Sequence, residues 1–171
     1  MKRFAKLGGF LALVSTAAAA QEQAQVQCLT APEARALFTF IIPEAVEGVA
    51  AKCKAALPAT AFLPSSSAAT VAKFREAAKG GWPAARAAFL KIGGPAKEAD
   101  LMAKMSDATL QPFVSEAFAG VVANDVKPAD CPKIDRFVAA LAPIPPSNVA
   151  DLITALIALV GEKKGDDLKL C

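Results

Sequence analysis

The side chains that most often carry enzymatic chemistry are thinly supplied in this 171-residue chain, which has no histidine and no tyrosine. Ser-His-Asp and Cys-His hydrolysis, His-ligated zinc and C-x-x-C-H haem attachment are therefore excluded as usually built. General acid–base work would fall to carboxylates or lysine. Glu44 and Glu47 lie one helical turn apart beside Pro43, and Glu98 and Asp100 lie near a helix start. A carboxylate pair can hydrolyse a glycosidic bond, yet both clusters have lysines at helical spacing, such as Asp100 with Lys104, which reads as a solvated face. Asp166-Asp167 lies in a lysine-rich tail without the spacing of a calcium loop. No serine has a lysine three residues on, and the glycines of "IGGPAK" do not make a phosphate-binding loop. No catalytic residue, metal site or cofactor is expected.

Four cysteines remain: Cys28, Cys53, Cys131 and Cys171. Without a C-x-x-C pair they lack the spacing of redox motifs and zinc ribbons, and an even number in an exported chain reads as two disulfides. Export is suggested by residues 1–20, where Lys2, Arg3 and Lys6 precede an apolar run from Leu7 to Val14 and small residues end at Ala20. That is the layout of a secretory signal peptide, with cleavage after Ala20 and Gln21 in place of a lipid-accepting cysteine. With the three basic residues gone, 16 Lys and Arg face 16 Asp and Glu, so the mature chain is formally neutral. Neutrality gives no support to nucleic-acid binding or to attraction by anionic lipid. Residues 21–171 are expected to form a single helical domain behind a short polar leader, "QEQAQVQ".

The elements that would position these residues are helices, because apolar residues recur at helical spacing and almost nowhere alternate. Thr30 and Glu33 have capping-box spacing with Pro32 in the first turn, and the stripe Leu37, Phe38, Ile41, Ala45, Val49, Cys53 keeps its phase across Pro43. The spacing predicts one kinked but continuous helix over 31–57. At 1.5 Å per residue that helix would hold Cys28 and Cys53 ~35 Å apart, far beyond the ~7 Å that a disulfide allows. Cys28 paired with Cys53 is then excluded together with its complement. Of the two remaining connectivities, Cys53–Cys131 with Cys28–Cys171 is preferred, since it ties down a cysteine placed where a terminus normally frays.

Residues 58–67, "PATAFLPSSS", read as a loop whose serines cap a helix over 67–79. Further helices are expected over 83–91, 95–105 and 108–123, with Asp107 as the cap of the third. Two more follow, one from Cys131 with Ile134, Phe137, Val138 and Leu141 facing inward, and one through "NVADLITALIALVGEKK". The last is apolar nearly all round and is expected to be the central, most buried helix; its apolar run is half a membrane span. The fold class is therefore all-α, a compact disulfide-stapled bundle of about six or seven unequal helices. Abundant alanine allows their axes to approach closely.

Trp82, in "GGWP", is the only tryptophan; core packing is preferred for it, with an exposed binding anchor as the other role. Hydrophobic residues make up 54% of the chain, including ten Phe, more than a core of this size needs. The functional expectation is an exported, non-enzymatic domain acting by protein–protein interaction in the cell envelope, periplasmic or extracellular. The alternative is a carrier of a small apolar ligand between its helices, and the third reading is a carboxylate-dependent hydrolase of envelope polysaccharide.

Overall fold

A computed structural model describes residues 28–92, 96–164 and 170–171. Residues 1–20, read above as a signal peptide, the polar leader and Asp166-Asp167 lie outside the described residues. Among the described residues there are seven α-helices: α1 (Ala31–Cys53), α2 (Phe62–Ala78), α3 (Trp82–Ile92), α4 (Ala96–Ala103), α5 (Asp107–Asp125), α6 (Cys131–Leu141) and α7 (Pro146–Lys164). A 3-10 turn over Pro128–Asp130 leads into α6. The fold is a compact all-α bundle held by two disulfides.

Helix α1 starts where the Thr30 backbone N–H and hydroxyl both donate to the Glu33 carboxylate, at 2.9 and 3.0 Å. Lys91 of α3 grips the other oxygen of Glu33. With the Lys91 hydrogen bond as the largest cause and the Thr30 donors next, the Glu33 carboxyl is held down to about 2. The helix runs through Pro43 to Cys53 without a break. Gly48 marks its closest crossing, since a Cβ there would stand 2.6 Å from the Ala119 carbonyl oxygen of α5.

The central helix is α1, not α7. Its substantial contacts reach α2, α3, α5 and α7, whereas α5 packs chiefly on α1 alone. Helix α7 buries Val149 and Ala150 and packs Ile153 and Ile157 on the core, but Leu152, Leu156 and Leu159 face outward, Leu159 at 69% exposure. An all-round apolar sequence shows which faces can be covered, and only one face of α7 meets a neighbour. The same correction holds on α6, where Phe137, expected inward, is more than half exposed; on α5, Leu110 and Val114 are buried while Phe113 and Val121 are more than half exposed.

Helix α2 starts five residues earlier than the serine caps imply. Asp135 of α6 accepts the N–H groups of Phe62 and Leu63 at 3.3 and 2.6 Å, capping α2 from a distant part of the chain. Pro64 falls in the first turn, where its missing N–H is harmless. Ser65 and Ser67 donate back to the carbonyls of Ala61 and Leu63 instead of capping. In return, Lys73 of α2 donates to the carbonyls of Ala142 and Ile144 at the end of α6, at 2.9 and 2.8 Å. Helices α2 and α6 thus run in the same direction and close each other's ends. Gly80, with φ of +74°, ends α2 in the left-handed conformation that glycine tolerates best. At the start of α5, Ser106 is the cap and Asp107 the first helical residue.

Two disulfides tie the bundle, and no cysteine is free. Cys53 pairs with Cys131 (Cα–Cα 5.5 Å) inside a cluster with Val49, Leu63 and Val138. Cys28 pairs with Cys171 (Cα–Cα 5.1 Å), beside a backbone bridge in which Cys171 N–H donates to Leu29 C=O at 2.9 Å. Such bonds suit an oxidising, non-cytoplasmic compartment. Among the described residues no helix is long and apolar enough to cross a membrane.

Candidate functional site

Part of the apolar surplus lines a groove of about 290 Å³ over the middle of α1. Ile42, Val46 and Val49 of α1 form its floor. Val122 and Val126 of α5 make one wall; Ile134, Phe137 and Leu141 of α6 and Val149 and Ile153 of α7 make the other. Of its lining residues, Thr70 alone has a polar side chain. The gap exists because α5 leans on α1 while α6 is tied to α2 through Asp135 and Lys73. One end is anchored by the Cys53–Cys131 cluster, on which Val122, Val126 and Ile134 pack. Phe137 lines the groove and is 57% exposed, so it stands at the mouth. No lining residue carries a charge, so what the groove chiefly offers is burial of apolar surface.

The residues singled out for chemistry lie elsewhere. Glu44 and Glu47 share one guanidinium: Arg75 donates to both oxygens of Glu44 at 3.1 and 2.8 Å and to Glu47 at 2.5 Å. Arg75, hydrogen-bonded first to Glu44 and then to Glu47, is stabilised further in its charged form. The Glu44–Arg75 pair faces a mixed cleft of about 420 Å³ lined also by Phe40, Trp82, Gln111 and Ser115. Glu98 and Asp100 are exposed on α4 and do not line that cleft. Among the described residues no cluster has the composition of a metal site.

Trp82 is 8% exposed and packs with Phe40, Ala85, Leu110 and Val114 where α1, α3 and α5 meet, its ring 4.9 Å from that of Phe40. It fills the core, and its Nε1 has no acceptor among the described residues. Its remaining exposed edge borders the cleft beside Glu44 and Arg75. The sequence implies an apolar site between helices but not its place or its lining. Its one signal was quantitative: α5, α6 and α7 carry apolar residues on more than one face, beyond what a single packing stripe requires.

No protein-family model, curated protein or solved structure is significantly similar to this chain, so the reading of its function rests on its own residues.

Proposed function

We propose that this is an exported, non-enzymatic binding domain of the cell envelope whose groove takes the apolar side chains of an amphipathic helix from a protein partner. The observation that carries this reading is the lining, in which a single hydroxyl interrupts an otherwise apolar surface. Small-molecule sites generally place a few polar groups to orient their ligand. A floor from Ile42 to Val49 spans two turns, ~10 Å at helical rise, which matches two or three side chains on one face of a partner helix. Phe137 at the mouth is the kind of aromatic side chain on which such interfaces concentrate their energy. The signal-peptide layout of residues 1–20 and the two disulfides support export to the periplasm or beyond the cell.

A leucine-rich amphipathic model peptide provides the test. It should perturb the amide resonances of residues 42–49 and 134–153, and filling the groove with Ala45→Phe should abolish that response. A response that survives Ala45→Phe, or none in the parent protein, would overturn the proposal.

The groove volume favours a second reading, because about 290 Å³ borders the range of ~300–1,000 Å³ that small ligands occupy. Native mass spectrometry of protein exported by its own host should then show a neutral apolar adduct, and a clean apo mass counts against this carrier.

A further inference from the structure

The two disulfides occupy different environments. Cys53 and Cys131 are fully buried, whereas Cys28 is half-buried and Cys171, the last residue, is exposed. Thiol–disulfide exchange needs a thiolate to reach a sulfur, so access decides which bond reacts in the folded protein. The accessible bond holds something the groove depends on. Beside it, Leu29 is fully buried, and both Leu29 and Leu170 pack in the cluster that contains Ile42, Phe74 and Val149. Those three residues also line the groove.

We propose that Cys28–Cys171 is an exchangeable clasp that regulates the apolar groove, an inference that rests on the groove being the binding site. The reductant is a dithiol. Its first thiolate attacks Cys171 Sγ, the Cys28–Cys171 bond breaks, and Cys28 leaves as a thiolate that takes a proton from solvent. The second thiol of the reductant then displaces Cys171 from the mixed disulfide. Two electrons pass to the Cys28–Cys171 pair, and the reductant ends as its own disulfide. With the clasp open, the segments that carry Leu29 and Leu170 lose the covalent link that holds them side by side. The cluster behind Ile42, Phe74 and Val149 loses its outer layer, and the groove no longer holds its shape. Cys53–Cys131, shielded in its own cluster, stays closed throughout.

The experiment uses the full exported protein under graded dithiothreitol, with alkylation mapping of all four cysteines and binding of the leucine-rich amphipathic peptide measured on the same samples. Cys28 and Cys171 should be alkylated together at reductant concentrations that leave Cys53 and Cys131 unlabelled. Peptide affinity should fall at least fivefold over that range. The double variant Cys28→Ser/Cys171→Ser, checked for retained helicity by circular dichroism, should show the same weakened affinity without reductant. Simultaneous labelling of all four cysteines overturns the selectivity of the clasp. Selective labelling with unchanged peptide affinity overturns its control of the groove. An oxidised protein that binds no peptide refutes the groove reading itself, a result distinguishable because the alkylation pattern is read independently.

Discussion

At the scale of single residues, what a position tolerates is set by what stands next to it. Gly48 and Gly120 are both helical glycines, and intrinsic propensity alone would favour alanine at each. A Cβ at Gly48 would meet the backbone of Ala119, which cannot swing aside, whereas at Gly120 nothing lies within 4 Å. Gly48→Ala should therefore lower stability by about 1–3 kcal/mol, in the range of an overpacked core, while Gly120→Ala should raise it by about 0.5–1 kcal/mol. Urea unfolding of the two variants checks the contrast, and equal effects would mean that α1 and α5 do not cross at Gly48. Glu33 supplies a pH signature. Its folded value of about 2 lies below the ordinary 4.5, so its contribution is complete above 4.5 and disappears as pH falls through about 2. The stability gap between the parent and Glu33→Gln should be constant from neutral pH down to about 4.5 and should close towards pH 2. A gap that widens on acidification would show that the Lys91 and Thr30 contacts do not favour the ionised form.

Among the elements, those closed by local signals were legible and those closed by distant ones were not. The start of α1 is written in Thr30, Pro32 and Glu33 within four residues, and its passage through Pro43 in the unbroken phase of the apolar stripe. The start of α2 depends on Asp135, more than seventy residues away, which no local pattern discloses; the serines of "PSSS" mimic a cap and turn out to bond backwards. Asp135→Ala should remove both acceptors and cost about 0.5–2 kcal/mol, with faster hydrogen exchange at Phe62 and Leu63. Unchanged exchange there would assign the helix start to Pro64 instead. For α7 the apolar pattern was legible, but its covered face was not, because periodicity names candidate faces and tertiary packing selects among them. Leu37→Ala in α1 should consequently cost about 2–5 kcal/mol, and Leu159→Gln on the outer face of α7 should stay within about 0.5 kcal/mol. The place of the groove is hidden for the same reason: an apolar site between helices follows from the composition, but that Phe137 lines its mouth and not a closed core depends on how α5 and α6 pack.

For the molecule as a whole, the two disulfides form nested loops, one joining residues 143 apart and the other joining residues 78 apart within it. Loop length barely separates them, because closure entropy grows with its logarithm, and each closure alone contributes about 4–5 kcal/mol in the chain-entropy picture. The nested arrangement also makes the two contributions less than additive, since either bond shortens the loop that the other still has to close. Native packing separates them instead. Cys53 and Cys131 are buried against Val49, Leu63 and Val138, so Cys53→Ala/Cys131→Ala removes the link and leaves a void among side chains that cannot collapse freely. Cys28 and Cys171 lie at the surface, where their replacement removes little beyond the link and the ordering of the ends. The inner pair should therefore cost about 1–2 kcal/mol more than the outer pair in guanidinium unfolding, although its loop is the shorter. If the outer pair proves the more costly, loop length outweighs packing in this bundle, and the tether between its two ends is the principal source of its stability.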